Sequence, residues 1–147
     1  MPISVVVVED DALLREIIAQ RLELDTEIDV VGTFSNSVEL AKKIFPHGSV
    51  GPEFSVDVAV MDVWPDRQSE SQFRIPDSTE VFTFLRAAGL EVQALFVTSM
   101  DREYVEAACY ALADQHWGYL NKSNVSKGQD LVEAVKHLAT AKGSKDD

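Results

Sequence analysis

The sequence predicts an α/β domain in which five helices pack on both faces of a doubly wound, five-stranded parallel sheet. One observation is that short runs rich in β-branched residues alternate five times with helical patterns, which is typical of βαβ units. The other is that three of these runs are nearly all apolar, as strands covered on both faces must be. In such sheets the crossovers are right-handed, and ligands bind at the carboxyl ends of the strands.

The strands are predicted from the β-branched and apolar runs themselves. Two connections are long for this class, residues 46–55 before the third strand and residues 63–77 after it. The second of these loops leaves the sheet at the edge where ligands are expected. The predicted strands are residues 3–8, 29–33, 56–61, 94–98 and 117–120.

Helices are predicted between and after the strands. The third helix, over residues 78–88, begins with a capping box formed by Asp77 and Glu80 and ends at Gly89. Apolar residues at helical spacing mark the other four. These stripes are Leu13, Leu14, Ile17, Ile18 and Leu22 in the first helix, Val38, Leu40, Ala41, Ile44 and Phe45 in the second, Tyr104, Val105, Ala108 and Leu112 in the fourth, and Leu131, Val132, Val135 and Leu138 in the fifth.

The composition is that of an ordinary globular chain of 147 residues, with 46% hydrophobic and 26% charged residues. This length fits one domain, which we predict over residues 1–142, followed by a disordered tail over residues 143–147. A formal net charge of −12 repels phosphate backbones, so direct binding of this domain to nucleic acid is not expected. The sequence has no secretory leader and no bilayer-length apolar run, which predicts a cytoplasmic protein without membrane contact.

Cysteine and histidine give no indication of a redox or zinc site. Cys109 is the single cysteine, which excludes an internal disulfide. His47, His116 and His137 are far apart in sequence and form no ligand-spaced motif. We therefore interpret these residues as packing or solvated groups.

Polar residues occupy the carboxyl ends of four predicted strands, and these ends converge in a parallel sheet. Carboxylates brought together raise one another's pKa unless a cation neutralises them, so a divalent metal is expected there. Oxygen ligands alone suit Mg²⁺ and leave a carboxylate available as the nucleophile for a phosphoryl donor. The converging residues are Glu9, Asp10 and Asp11 after the first strand, Asp62 after the third, Thr98 and Ser99 at the end of the fourth, and Lys122 after the fifth.

Four motifs in this order give the chain a resemblance to a known family. They are Val-Val-Val-Glu-Asp-Asp at residues 6–11, the strand-ending Asp62, Val-Thr-Ser at residues 97–99, and Gly-Tyr-Leu-Asn-Lys-Ser at residues 118–123. Over residues 3–141 the sequence resembles the receiver domains of bacterial two-component response regulators, the CheY-like domains. The resemblance implies the strand order 2-1-3-4-5.

The resemblance also implies a role for each residue of the constellation. The phosphoryl group would be bound next to Mg²⁺, and an aromatic residue of the last strand would respond to it. The implied roles are Mg²⁺ ligands for Glu9, Asp10, Asp62 and the backbone carbonyl of Trp64, phosphoacceptor for Asp62, phosphoryl contacts for Thr98 and Lys122, and the switch position for Tyr119.

The partners implied by the resemblance are those of two-component signalling. The donor would be a sensor histidine kinase or a histidine phosphotransfer protein, and the receiver of the signal a downstream protein or an output domain. Phosphorylation would draw Thr98 to the phosphate, turn Tyr119 inward and bias a face formed by the fourth helix, fifth strand and fifth helix. That face would also allow a homodimer. Catalysis would be limited to self-catalysed phosphorylation and dephosphorylation, so we do not expect an enzyme.

Three positions depart from the usual receiver pattern. Pro65 comes three residues after Asp62 instead of four, and the next glycine is Gly89. Ser123 stands where many receivers have a proline, and this Lys-Ser ending is common in receivers joined to helix-turn-helix output domains. These departures leave a second interpretation open, a pseudo-receiver in which the 63–77 loop blocks phosphorylation and signalling proceeds by constitutive protein contacts.

Structural interpretations of single residues also stay open. Asp10 or Asp11 could cap the first helix, and Ser99 could cap the fourth. Asp62 taken alone could be a turn residue, and Tyr119 a plain edge-strand aromatic.

Two enzyme or cofactor-binding classes fit the sequence less well. An aspartyl phosphatase requires a second acid two residues after its nucleophile, where this chain has Trp64. A nucleotide- or flavin-binding fold requires a phosphate-binding loop after the first strand, where the acidic residues 9–11 would repel the ligand.

Overall fold

Five parallel strands form the sheet that the sequence predicts. The computed structural model describes residues 2–44, 56–62, 91–99, 101–108, 117–125 and 128–144. The strand order is β2-β1-β3-β4-β5, and every neighbouring pair is parallel. The predicted fold class and strand order are therefore confirmed. The strands are β1 (Ile3–Val8), β2 (Ile28–Phe34), β3 (Val58–Met61), β4 (Gln93–Thr98) and β5 (Trp117–Asn121).

Four α-helices lie within the described residues: α1 (Ala12–Glu23), α2 (Ser37–Ile44), α3 (Arg102–Ala108) and α4 (Gly128–Ser144). The helix predicted over residues 78–88 and the 63–77 loop lie outside those residues, so α3 and α4 are the fourth and fifth predicted helices. Helix α4 reaches two residues into the range predicted as a tail, and residues 145–147 are outside the described part. None of the helices described here is long and apolar enough to cross a membrane.

Alternate residues of β1 face two separate hydrophobic layers, which is what makes the fold doubly wound. Val5 and Val7 point to a layer shared with α1 and α4, whereas Val6 and Val8 point to a layer shared with α2 and α3. Both layers cover the sheet, so the central strands are buried on both faces, as their apolar sequences predict. The helix residues that complete the layers are Ile18, Leu22, Leu131, Val135 and Leu138 on the first face and Leu40 and Val105 on the second.

The edge strand β2 is longer and less regular than its sequence predicts. It extends one residue beyond the predicted range of 29–33 at each end. Val30 pairs with Val5 of β1, but the next pair is formed by Gly32, so the register shifts by one residue. Val31 is the extra residue of a β-bulge, and its side chain is 47% exposed.

Strand β3 begins two residues later than predicted, because Asp57 pairs through its side chain. The Asp57 amide donates to the carbonyl of Ser4 at 2.9 Å, while the Ser4 amide donates to Asp57 Oδ2 at 2.9 Å. The carboxylate thus takes the place of a backbone acceptor at the amino-terminal edge of the sheet.

A charged contact ties α4 to the loop between α1 and β2, also at the amino-terminal edge. Lys136 Nζ lies 2.8 Å from Asp25 Oδ2 and 3.4 Å from Glu27 Oε2. The hydrogen bond from Lys136 holds the pKa of Asp25 below its usual value. This pair lies at the opposite edge from the polar residues predicted to carry the chemistry.

Candidate functional site

The carboxyl ends of β1, β3 and β5 bring three of the predicted side chains into contact. Glu9, Asp62 and Lys122 each directly follow one of these strands. Lys122 Nζ lies 2.8 Å from Asp62 Oδ2 and 3.1 Å from Glu9 Oε1. One ammonium group is therefore bound between two carboxylates, of which Glu9 is only 2% exposed.

The local structure around Glu9 is set by the end of β1 and the start of α1. The Glu9 amide donates to the carbonyl of Phe34 at 3.0 Å, which continues the pairing with β2 by one residue. Asp11 is the N-cap of α1, and its Oδ1 accepts hydrogen bonds from the amides of Leu13 and Leu14. The structural interpretation of Asp11 as a cap is thus confirmed, and Asp10, beside it, is exposed.

The position of Lys122 is set by a short turn that follows β5. Asn121 Oδ1 accepts a hydrogen bond from the Ser123 amide at 2.9 Å and so caps the 3-10 turn Lys122–Asn124. Because the turn begins at the end of β5, its first side chain is directed to the carboxylates of β1 and β3.

The carboxylate oxygens of Glu9, Asp10 and Asp62 are suitably placed for a cation. One oxygen from each residue lies within 4.8 Å of the others. Oxygen-only ligands, with one or two carboxylates, several waters and a phosphate oxygen, are the donor set that Mg²⁺ prefers. The residues present therefore fit the metal that the sequence predicts. Trp64, whose backbone carbonyl was the fourth predicted ligand, lies outside the described residues.

Burial and like charge disfavour the ionised form of Glu9. Desolvation is the main cause that raises the pKa of Glu9 above 4.5, and the charges of Asp62 and Asp10 add to it, while Lys122 opposes it. Burial lowers the pKa of Lys122, but the contacts with Asp62 and Glu9 outweigh burial and leave that pKa raised. The cluster thus favours a cationic Lys122 and disfavours an ionised Glu9.

Glu9→Gln is expected to raise the melting temperature of the metal-free protein by a few degrees at neutral pH, because the amide has no charge to desolvate. The pKa of Glu9 is higher in the folded protein than its unfolded value of 4.5, so a proton on Glu9 stabilises the folded state. This contribution to the free energy of unfolding is fully present below pH 4.5. It is lost as the pH rises through the pKa of Glu9 in the folded protein. The advantage of the variant should therefore appear with rising pH and vanish in acid.

Thermal unfolding in the presence of a chelator, followed from acidic to mildly alkaline pH, measures this difference. Glu27→Gln is the matched control, since Glu27 is a largely exposed carboxylate at the other edge of the sheet. A Glu9→Gln variant less stable than the wild type at neutral pH would contradict the prediction.

Two further predicted residues lie on one face of the sheet, on neighbouring strands. Phe96 of β4 pairs with Tyr119 of β5, and Thr98 pairs with Asn121. Thr98 is 1% exposed, and Tyr119 is partly buried against the same hydrophobic layer as Phe96. The Tyr119 ring thus packs against the core on the face of the sheet that also carries Thr98.

Tyr119 contacts polar groups on two sides. Asn121 Nδ2 donates a hydrogen bond to the Tyr119 hydroxyl at 3.2 Å. The guanidinium carbon of Arg102, in the first turn of α3, lies 5.9 Å from the centre of the Tyr119 ring. Asn121 therefore contacts both the predicted switch residue and, through the Ser123 amide, the turn that carries Lys122.

Sequence reasoning missed Arg15 and Asn121, each of which contacts a predicted site residue or its backbone. Arg15 Nη1 donates to the backbone carbonyl of Glu9 at 2.7 Å. Arg15 could have been found from its spacing, because a residue four positions after the N-cap Asp11 lies on the same face of the helix as that cap. The signal for Asn121 is its place before a turn, where Asn commonly accepts from the amide two residues on.

Five further residues singled out from the sequence are either exposed or outside the described part of the chain. Ser99 and His137 are exposed. Cys109, His47 and His116 lie outside the described residues.

A five-stranded parallel sheet in the order 2-1-3-4-5 with helices on both faces is the fold of response-regulator receiver domains. The resemblance predicted from the sequence motifs is therefore confirmed.

Three solved structures show how far this similarity extends. The signal receiver domain of the putative response regulator NarL from Mycobacterium tuberculosis is 26% identical, with a TM-score of 0.68 over 95% of this chain and 97% of that one. The non-phosphorylated receiver domain of the stress response regulator RcsB from Escherichia coli is 18% identical, with a TM-score of 0.72 over 96% and 95%. The response regulator domain of Thermotoga maritima CheB is 17% identical, with a TM-score of 0.70 over 95% and 98%.

Comparison with protein-family models and with curated proteins finds no match. The last two structural similarities show the fold alone, since their sequence identity is low. In all three comparisons the aligned region covers at least 95% of this chain and at least 95% of the other domain.

Proposed function

We propose that this chain is a receiver that accepts a phosphoryl group on Asp62 in a Mg²⁺-dependent reaction. The observation that carries the proposal is the contact of Asp62 with Lys122 at the carboxyl edge of the sheet, beside the acids Glu9 and Asp10. The Asp62 side chain is 12% exposed, which leaves it accessible to a donor from that edge while it is held by its partners.

In the proposed reaction an Asp62 carboxylate oxygen attacks the phosphorus of a phosphohistidine on a partner kinase or phosphotransfer protein. The O–P bond forms as the P–N bond breaks, the histidine ring leaves with the electron pair, and Asp62 becomes an acyl phosphate. Glu9, Asp10 and Asp62 would hold Mg²⁺, which supplies charge neutralisation for the phosphoryl oxygens. Positioning and charge neutralisation are most of what such a transfer requires.

The other residues have roles after the transfer. Lys122 changes partners from the carboxylates to the phosphoryl oxygens, and the Thr98 hydroxyl donates to the same group. Movement of Thr98 gives space on the shared face for Tyr119 to turn inward, which alters the surface formed by α3, β5 and α4. That Thr98 and Tyr119 lie on one face of adjacent strands supports this coupling.

The proposed setting is two-component signalling in the cytoplasm. The donor is a sensor histidine kinase or a histidine phosphotransfer protein, and the output is a downstream protein or an attached output domain. The surface formed by α3, β5 and α4 is the candidate face for a homodimer. Catalysis is confined to the domain's own phosphorylation and dephosphorylation, and it acts on no external substrate.

Incubation with Mg²⁺ and acetyl phosphate tests the proposal directly. Intact mass is expected to rise by one phosphoryl group, and a chelator is expected to prevent the gain because Glu9 and Asp62 then repel the incoming phosphate. A chain that binds Mg²⁺ but gains no mass from acetyl phosphate or from a phosphohistidine donor would contradict the proposal.

The second candidate is a pseudo-receiver that signals through constitutive protein contacts. The observation that favours it is the displaced Pro65 and the lack of a following glycine before Gly89. Absence of both Mg²⁺ binding and mass gain would favour this candidate, because the three carboxylates would then have no function as a metal site.

A further inference from the structure

Arg15 makes a contact that involves the backbone between two of the proposed metal ligands. Its Nη1 donates to the Glu9 carbonyl oxygen at 2.7 Å, and this oxygen belongs to the peptide that joins Glu9 to Asp10. A peptide unit is planar, so holding its carbonyl orients the whole plane and restricts ψ of Glu9 and φ of Asp10. The orientation of the Glu9 and Asp10 side chains relative to each other depends on these two angles.

The Glu9 carbonyl lies between two regular elements. Strand β1 ends at Val8, and α1 begins at Ala12. The Glu9 amide is bonded to the Phe34 carbonyl, and the Asp11 side chain caps the helix, so neither of these contacts is made by the peptide between Glu9 and Asp10. A guanidinium donor is strong and charge-assisted, which suits it to hold a carbonyl at this transition.

Arg15 is itself held in place within the same segment. Its backbone amide donates to the Asp11 carbonyl at 2.8 Å, which is a first-turn hydrogen bond of α1. Its side chain extends back toward the amino terminus of α1 and donates to the Glu9 carbonyl. Arg15 is therefore bonded to the segment before it through both its backbone and its side chain. Arg15 is half-buried, and its contact therefore competes with water less than a fully exposed one would.

The charge of Arg15 also reaches the start of α2. The Ser35 amide donates to Glu39 Oε2 at 2.9 Å, and the Glu39 amide donates to Asn36 Oδ1 at 2.9 Å. Hydrogen bonding from Ser35 is the main cause that lowers the pKa of Glu39, and the charge of Arg15 contributes. Arg15 is thus near enough to Glu39 for its charge to favour the ionised form of that carboxyl.

We infer that Arg15 is a positioning residue of the metal site, which sets the relative orientation of Glu9 and Asp10 by holding the peptide between them. This inference rests on the proposed function, since it assigns the two acids to a Mg²⁺ site. Arg15 then has two opposite effects on the affinity for Mg²⁺. As a nearby cation Arg15 weakens Mg²⁺ binding, and as a support for the ligands it strengthens it.

The test is the Mg²⁺ dissociation constant of Arg15→Met, measured by calorimetric titration beside the wild type. We expect affinity to fall about tenfold to a hundredfold, the usual result when an outer partner of a metal ligand is removed. A purely electrostatic role predicts the opposite sign, because removing a positive charge near three carboxylates favours the metal. Affinity that is unchanged or increased in Arg15→Met would overturn the inference.

Two variants complete the design. Arg21→Met removes the same charge from the last turn of the same helix and is expected to leave the Mg²⁺ affinity close to that of the wild type. Arg15→Lys keeps a donor and a charge and is expected to recover part of the affinity. A fall in affinity without recovery by lysine, together with loss of the folded state by circular dichroism, would assign Arg15 a purely structural role and overturn the inference.

Failure of the proposed function gives a different result. If the wild type binds no Mg²⁺, the metal site itself is refuted, whatever the variants do. If the wild type binds Mg²⁺ and gains a phosphoryl group but Arg15→Met binds as well as the wild type, the proposed function stands and only the positioning role is wrong.

Discussion

Asp62→Asn is expected to abolish phosphoryl uptake, so that intact mass stays unchanged where the wild type gains one phosphoryl group. The amide is almost the same size as the carboxylate and keeps an oxygen that can accept from Lys122, but it is not a nucleophile toward phosphorus. The variant also removes one carboxylate from the metal cluster, so its Mg²⁺ affinity should fall.

Asp57→Asn is the matched control, since Asp57 lies just before the same strand at its other end. Its side-chain oxygen accepts from the Ser4 amide, and an asparagine oxygen can do the same. This variant should therefore gain mass like the wild type. Phosphoryl uptake by Asp62→Asn at the rate of the wild type would mean that another residue is the acceptor.

Lys122→Met is expected to separate metal binding from phosphoryl transfer. Removing an ammonium that lies 2.8 Å from Asp62 and 3.1 Å from Glu9 leaves more negative charge for a metal, so Mg²⁺ affinity should rise about tenfold. Transfer from acetyl phosphate at saturating Mg²⁺ should nevertheless slow about a hundredfold, because a charge directed at the phosphoryl oxygens is lost.

The same variant has an expected cost in stability when no metal is present. Glu9 is 2% exposed and would lose its cationic partner, which for a fully buried pair costs about 3–5 kcal/mol. Lys122 and Asp62 keep some contact with water, so we expect about 2 kcal/mol, with recovery when Mg²⁺ is added.

Calorimetric titration, the rate of mass gain and chemical unfolding with and without Mg²⁺ measure the three effects of Lys122→Met. Lys136→Met is the matched control, because Lys136 also contacts two carboxylates but at the opposite edge of the sheet. Tighter metal binding with an unchanged transfer rate would show that Lys122 is a counterion and takes no part in the transfer.

The sequence predicted the central strands well because their physical signal is simple. Strand β1 has the predicted bounds, and β4 differs from its prediction by one residue at its start. Both are buried on both faces, so nearly every residue is apolar, and the polar residue that ends the run marks the end of the strand. Contacts made by Asp57 and the bulge at Val31 involve pairing between distant segments, which composition alone does not encode.

The residues that form the site could be predicted from the sequence, whereas the contacts between their side chains could be predicted only in part. The convergence of Glu9, Asp62 and Lys122 follows from parallel topology once the strands are placed. From the sequence we expect a metal to neutralise the carboxylates and Lys122 to contact the phosphate. In the structure Lys122 contacts both carboxylates, because its long side chain reaches them from the end of β5.

The contact between Arg15 and the Glu9 carbonyl could not be found from sequence motifs. A helical projection shows Arg15 only as a charged residue near the start of α1. Its importance comes from the hydrogen bond that it donates to the backbone carbonyl of Glu9. A sequence motif records which side chains occur at which spacing. Because every residue has a backbone carbonyl, a contact from a side chain to such a carbonyl does not produce a recognisable motif.

The bulge in β2 has a consequence for how the molecule behaves in a crowded solution. An outer strand of a sheet presents unpaired backbone groups that can recruit a strand from a second molecule and start an aggregate. A recruited strand with regular spacing would match β2 only as far as Val30, because the extra residue Val31 breaks the repeat and twists the strand locally. The irregularity that made β2 hard to predict therefore limits sheet growth on that side, although Val31 itself is apolar and exposed.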